Sequence, residues 1–301
     1  MDAEEAVIFV LINSGGQTAF DNFLMDWAPG LNEHLRLITY KEAIKNPEVG
    51  DGTYIFTGLT EFTPAKMEAV TGYRNRLAEC GKSIRILNDP TTALTRFPLL
   101  RELHDRGYND FNVYRSTDVT EIDRFPVFVR NERGHNGSLT PLLHNSDELQ
   151  RAIEDIGGER DDLLVVEFSD TSDETGLFRK FGAFLLDGRV IPCDLGISGH
   201  FVTKSNDPPT RRQQHELREF VKRGPDTRVR DVFELAGIDY GRMDYSFRGE
   251  QMVVWEINTN PGLAWPPHKY DADDLPLQRE ILGSLRDAFK ELDSAPIGWS
   301  G

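Results

Sequence analysis

The chain has 301 residues, enough for two or three small lobes with separate cores, and its composition is ordinary for a globular protein. A formal net charge of −16 argues against a nucleic-acid partner, because a phosphate-binding surface needs clustered lysine and arginine. The acidic start Met1-Asp2-Ala3-Glu4-Glu5 lacks the basic flank of a signal peptide, and the apolar run 7–12 is too short to span a bilayer, so no membrane partner is expected. The two cysteines, Cys80 and Cys193, lack metal-ligand spacing and read as reduced core thiols in a cytoplasmic protein. In chain order, 7–12, 54–57 and 83–87 are short apolar runs suited to buried parallel strands with helices between them, a βαβ arrangement. Asn13-Ser14-Gly15-Gly16 follows the first run as a tight βα turn, with Ser14 a candidate substrate contact. Thr63 caps a helix with Pro64 in its first turn; Met67, Val70, Arg74 and Leu77 keep helical spacing, and Gly81 ends it.

A further helix carries Leu99, Leu100 and Leu103 and runs to Gly107. Strands over 111–114 and 126–130 begin a second lobe, Ser146 caps a helix ending at Gly157-Gly158, and the run 163–168 opens a third. Asp187-Gly188 signals a hairpin with a type I′ turn. The stretch 205–212, SNDPPTRR, reads as a mobile loop, and amphipathic helices carry Val229, Val232, Phe233 and Ala236, then Leu277, Ile281, Leu285, Ala288 and Leu292. Between these two helices lies the most informative segment, GRMDYSFRGEQMVVWEINTNPG over 241–262. Its alternation puts Arg242, Asp244 and Ser246 on one face and Met243, Tyr245 and Phe247 on the other. With a three-residue loop, 249–251, Arg248 pairs with Met252, Asp244 faces Glu256 and Arg242 faces Asn258. A two-residue loop would send the two acids to opposite faces. Two carboxylates and an amide oxygen suit magnesium beside phosphate, and the arginine suits developing phosphoryl charge.

The motifs Arg242-Met243-Asp244 and Glu256-Ile257-Asn258-Thr259-Asn260-Pro261-Gly262 resemble the R-x-D and E-x-N-x-x-P-G motifs of the ATP-grasp superfamily. RFPVFVRNERGHNGS, LLVVEFSD and LFRKFGAFLLDGRVIP extend the resemblance over roughly residues 90–267 in the right order. Members such as D-alanine–D-alanine ligase and glutathione synthetase join a carboxylate to an amine through an acyl phosphate. The resemblance implies an α/β ATP-grasp fold of three lobes: an N-terminal lobe over 1–90, a central lobe over 91–162 and a C-terminal lobe over 163–301. It implies ATP with Mg2+, or Mn2+, as cofactors, and small-molecule carboxylate and amine substrates. Asp244, Glu256 and Asn258 would hold metal, while Arg242 and Lys180 would serve catalysis.

The remaining candidates are placed with the help of this frame. The loop 131–138, with Gly134, Gly137 and Ser138, offers backbone amides that fold over phosphates as a lid. Arg130 and Arg96 stand where the superfamily usually has phosphate-contacting lysines. Glu167, Phe168 and Asp170 end an apolar strand on the expected adenine and ribose side. In Phe178-Arg179-Lys180-Phe181 the bases alternate with aromatics, so one base points inward, and the resemblance favours Lys180. His200 and Lys204 are candidate contacts to the acceptor or the γ-phosphate, and Gly262 and Trp265 are candidate walls of the acceptor pocket. A small-molecule kinase and an ATP-binding protein without turnover are the rival readings.

Overall fold

The apolar run Val7–Ile12 forms β1, which pairs in parallel with β2 (Leu35–Thr39) and β3 (Gly52–Phe56); β4 (Ile84–Leu87) pairs with β3. This arrangement belongs to a computed structural model that describes residues 7–46, 49–134, 137–157, 162–203 and 210–294. The central strands β1 and β3 are mostly apolar because both sheet faces are covered. Phe9, Leu11, Tyr54 and Phe56 pack with Tyr40 and with Val70, Tyr73 and Leu77 of α3 (Pro64–Glu79). Ile8, Val10 and Ile12 pack with Phe20, Phe23 and Trp27, and with Ile281, Leu285 and Phe289 of a C-terminal helix over 275–294. α3 begins as its sequence indicates, with the Thr63 hydroxyl accepting the Lys66 amide and Pro64 as first residue. β2 escaped the sequence reading: it is a short edge strand interrupted by the exposed Arg36. Before α3 come α1 (Gln17–Asn22), continued by a π-helical turn over Phe23–Trp27, and α2 (Tyr40–Lys45).

Asn88 follows β4 and is fully buried. Its Nδ2 donates to the Phe56 carbonyl (3.0 Å) and the Tyr240 carbonyl (2.7 Å), and its Oδ1 accepts from the amides of Asp239 (2.8 Å) and Tyr240 (2.9 Å). Beyond it, α4 (Arg96–Asp105) leads to an antiparallel sheet of β5 (Val113–Arg115), β6 (Val127–Asn131) and β7 (Leu163–Glu167), in the order β5-β7-β6. The run expected to open a third lobe, β7, is therefore the central strand of this second sheet. α5 (Ser146–Ile156) covers one face. Its N-cap is Asn145, whose side chain accepts the Glu148 amide, rather than Ser146.

The third sheet is antiparallel in the order β11-β10-β8-β9, with β8 (Phe178–Leu186), β9 (Arg189–Ser198), β10 (Tyr240–Arg248) and β11 (Gln251–Asn258). Asp187 and Gly188 join β8 to β9 with φ of 49° and 77°, as a type I′ turn requires. α6 (Arg211–Arg223) begins inside the stretch read as a loop, capped by Thr210; residues 205–209 of that stretch lie outside the described residues. α7 (Arg228–Ala236) ends at Gly237, and α8 (Leu275–Ser294) closes the chain against the parallel sheet.

The turn between β10 and β11 corrects the expected loop. Arg248 pairs with Gln251, not Met252, so the connection is the two-residue Gly249-Glu250, with Gly249 at φ 59°. Glycine first in a two-residue turn fits type II′. A β-bulge then restores the register: Tyr245 pairs with Val254 but Asp244 pairs with Glu256, leaving Trp255 as the extra residue. Trp255 stacks on Phe111 (5.3 Å between centroids) and donates to the Ser246 hydroxyl (2.7 Å).

Candidate active site

Because of that bulge, Asp244 faces Glu256 and Arg242 faces Asn258, the pairing expected from the motif. Asp244 is buried, and two cations hold it. Lys180 Nζ on β8 donates to Oδ2 at 2.6 Å, and Arg242 Nε donates to Oδ1 at 3.2 Å. The neighbouring Arg179 points to the opposite face, donating to Glu216 (2.6 Å) and Asp173 (2.6 Å). Gly182 pairs with Asp244 on one side and with Asp194 of β9 on the other. A Cβ at Gly182 would lie 2.9 Å from Asp194 Cβ, so the missing side chain is what lets Asp194 of β9 approach this face, while Arg242 Cδ would remain at an ordinary contact distance of 3.6 Å. The Asp244 charge raises the pKa of Arg242 against the opposing effect of burial, and Asp194 adds to it. For Lys180 burial is the largest influence and lowers its pKa, but the charge and hydrogen bond of Asp244 outweigh it and the net shift is upward.

Glu256 Oε2 accepts from Arg96 Nη2 (2.6 Å) and from Arg130 Nη2 (2.9 Å). Burial, then the adjacent Arg96, lowers the pKa of Arg130. Asn258 Oδ1 accepts the Asn260 amide (2.8 Å) in a local turn. Asn260 Nδ2 reaches Glu61 at 3.4 Å, and Glu61 also accepts from Asn13 (2.7 Å), whose amide oxygen accepts from Lys66. At the end of β1 the engaged residue is therefore Asn13, whereas Ser14 is exposed.

A cavity opens beside these charges, lined by Phe128, Phe168, Phe178, Phe201 and Trp255, with Arg130, Lys180, Asp244 and Glu256 at its polar side. Gly137 and Ser138 line it, as expected, while the Ser138 hydroxyl donates to the Thr140 carbonyl (2.6 Å). Arg96 is 3 % exposed and is not among the lining residues. Gly134 meets Arg96 through its carbonyl (2.8 Å), and His135 and Asn136 of this loop lie outside the described residues.

Several expectations need correction. The Glu167 carboxylate turns away from the cavity to the Asn112 amide (3.0 Å), the Tyr114 hydroxyl (2.9 Å) and Arg124 (3.4 Å). Asp170 closes a turn by accepting from the Ser172 amide (3.0 Å) and hydroxyl (2.6 Å); Ser169 and Thr171 line the cavity instead. His200 is exposed, accepts the Val202 amide (3.1 Å) and stacks beside Phe201, which lines the cavity. Lys204 lies outside the described residues. Gly262 is exposed, and Trp265 is 66 % exposed, held by its backbone to Trp27 and Tyr270 rather than buried as a wall. Cys80 is exposed and Cys193 half-buried; both are free thiols, and burial pushes that of Cys193 up. Sequence reading missed Asp194 and Gly182, although their strand alternation could have placed both on the face of Asp244.

Among the described residues no group of three or more His, Cys, Asp and Glu side chains is arranged to hold a metal ion. Asp244, Glu256 and the Asn258 amide are hard oxygen donors on adjacent strands, a set that suits magnesium. Four protein cations already neutralise the two carboxylates, so these donors fit a metal only together with an anion that draws some of those cations away.

No protein-family model matches the chain, and no curated protein matches it in sequence. Solved structures do match over nearly its whole length. A D-alanine–D-alanine ligase from Bacillus anthracis in complex with ATP has 16 % identity and a TM-score of 0.54, covering 96 % of this chain and 98 % of its own. The VanG D-Ala:D-Ser ligase from Enterococcus faecalis has 11 % identity and a TM-score of 0.52, covering 94 % and 100 %. The ATP-grasp ligase PsnB, complexed with precursor peptide PsnA2 and AMPPNP, has 12 % identity and a TM-score of 0.52, covering 98 % and 99 %. At these identities the likeness speaks for the fold, and with the sheet order and the two strand motifs it makes this chain a protein of the ATP-grasp fold.

Proposed function

We propose that this protein is an ATP-dependent ligase that joins a carboxylate to an amine and releases ADP and phosphate. The observation that carries this reading is the register of β10 and β11, which sets Asp244 and Glu256 at the polar side of an aromatic-lined cavity, with the paired Arg242 and Asn258 next along the same strands. The adenine ring lies among Phe128, Phe168, Phe178 and Phe201, whose flat faces suit a base. The triphosphate runs toward Lys180 and Arg130, which turn from the carboxylates to the phosphate oxygens. Asp244, Glu256 and Asn258 would then hold Mg2+ or Mn2+, which would supply charge neutralisation at the transferring phosphoryl group. A substrate carboxylate oxygen attacks the γ-phosphorus, the bond to ADP breaks, and Lys180 and Arg130 stabilise the charge spread over the phosphoryl oxygens. The amine then attacks the acyl carbon, phosphate leaves with the bonding electrons, and the amine proton passes to solvent. Arg242, beside Asp244, is placed to steady the reacting carboxylate. The acceptor lies toward Asn13 and Glu61, at the carboxyl ends of the parallel strands.

The test is a screen of carboxylate and amine pairs for ATP consumption. With the right acid, hydroxylamine should trap a hydroxamate, and the natural amine should release one phosphate per new bond. Phosphate retained on the product would make the protein a kinase. No ADP with any pair would leave a nucleotide-binding protein.

A further inference from the structure

Arg96 and Arg130 look interchangeable in sequence and share one oxygen of Glu256, yet their other contacts differ. Arg96 Nη1 donates to the carbonyls of Asn131 (3.2 Å), Glu132 and Gly134 (2.8 Å), while Nη2 takes Glu256. Among the described residues Arg130 makes a single hydrogen bond, from Nη2 to Glu256, and its side chain lines the cavity. Moving Arg130 to a phosphate leaves Glu256 still paired with Arg96. Moving Arg96 would strip its donor from three carbonyls at a half-buried turn, where a group left without a partner is costly. A second fastening reaches the same turn from α4. The Glu132 carboxylate is held by Arg115 (2.5 Å), whose guanidinium lies 4.2 Å from the ring centre of Phe97, the residue next to Arg96.

We propose that the two arginines have different tasks: Arg130 leaves Glu256 for the nucleotide's phosphates, whereas Arg96 stays as a positioning residue that fastens the Asn131–Gly134 turn to Glu256. This rests on the nucleotide site proposed above and departs from the phosphate contact that the superfamily resemblance implied for Arg96. Arg96 acts on the reaction through Glu256 and the loop, without touching substrate.

The experiment pairs calorimetric titration of ATP in chelator with amide exchange over residues 131–134, where the Glu132 amide is bound to the Asp162 carbonyl (2.7 Å). Arg130→Met should weaken ATP at least tenfold and leave the exchange unchanged. Arg96→Lys keeps the charge but not the fork, so it should speed exchange at least tenfold while ATP affinity stays within threefold. In the wild-type protein, ATP in chelator should leave exchange at 131–134 unaltered, a measurement independent of how the variants fold. Arg115→Lys, which loosens only the second fastening, should also speed exchange. Equal losses of ATP affinity in Arg96→Lys and Arg130→Met, unchanged exchange in Arg96→Lys, or faster wild-type exchange on adding ATP would overturn the proposal. Absence of ATP binding to the wild type would instead refute the nucleotide site, while exchange in Arg96→Lys would still decide whether Arg96 fastens the turn.

Discussion

Asp244 is held from two sides, by Lys180 and Arg242, and a metal bound there needs Lys180 to leave for the phosphates. Asp244→Asn keeps the shape and removes one charge. Turnover with a productive pair should fall by at least about 100-fold, roughly 3 kcal/mol of transition-state stabilisation. Full activity, measured as ADP release, would remove Asp244 from the mechanism. Glu256→Ala should abolish the gain in ATP affinity that magnesium gives the wild type; equal affinity with magnesium and with chelator in the wild type would contradict coupled binding. The pH dependence follows from Lys180, whose pKa lies above its ordinary 10.5 because Asp244 outweighs burial. A raised folded value means that the pairing is fully present below the unfolded pKa and lost only as pH rises through the folded one. ATP affinity should therefore stay level from about pH 7 to about pH 10; a midpoint near 8 would mean that burial dominates. At this scale the residue types of the motif and the alternation within each strand were legible, whereas the pairing of Asp244 with Glu256 needed the bulge at Trp255. Glu167 and Asp170 were not, because an acid at a strand end takes whichever donors the fold brings, here Tyr114 and Arg124 for one and the Ser172 turn for the other.

Among the elements, β10 and β11 show how a right pairing can come with a wrong loop. The Gly-Glu pair fits a two-residue type II′ turn, which alone would have separated Asp244 from Glu256. The bulge that rejoins them depends on where Trp255 finds its stacking partner, Phe111, 144 positions upstream in a different part of the fold. β8 contributes by what it lacks. Gly182→Ala puts a Cβ 2.9 Å from that of Asp194, so Asp194 or β9 must shift, and with it the charge beside Arg242. Overpacking of this kind costs about 1–3 kcal/mol. We expect lower unfolding free energy in urea and at least a tenfold loss of turnover; unaltered turnover would show that the position of Asp194 does not matter to the chemistry.

In the whole molecule, Asn88 ties the parallel sheet to β10 with all four of its side-chain hydrogen bonds made to backbone groups, at a left-handed φ of 57° that asparagine tolerates. Asn88→Ala strands two carbonyls and two amides and should lower unfolding free energy by about 4 kcal/mol in urea; a loss under about 1 kcal/mol would mean that water substitutes for the side chain. α8 packs against β1 and β3, so the end of the chain completes the core of its beginning. Among the described residues no helix is long and apolar enough to cross a membrane. The sequence by itself determined the strands with strong apolar runs, the caps of α3, the type I′ turn and the alternation within β10 and within β11, because alternation and local backbone chemistry act over a few residues; the bulge that brings Asp244 and Glu256 onto one face came from tertiary packing. Only the tertiary structure decided which cation neutralises which carboxylate: Lys180, Arg130 and Arg96 stand 64, 126 and 160 positions from the acids they bind, and packing of three sheets selects among arginines that local sequence leaves equivalent.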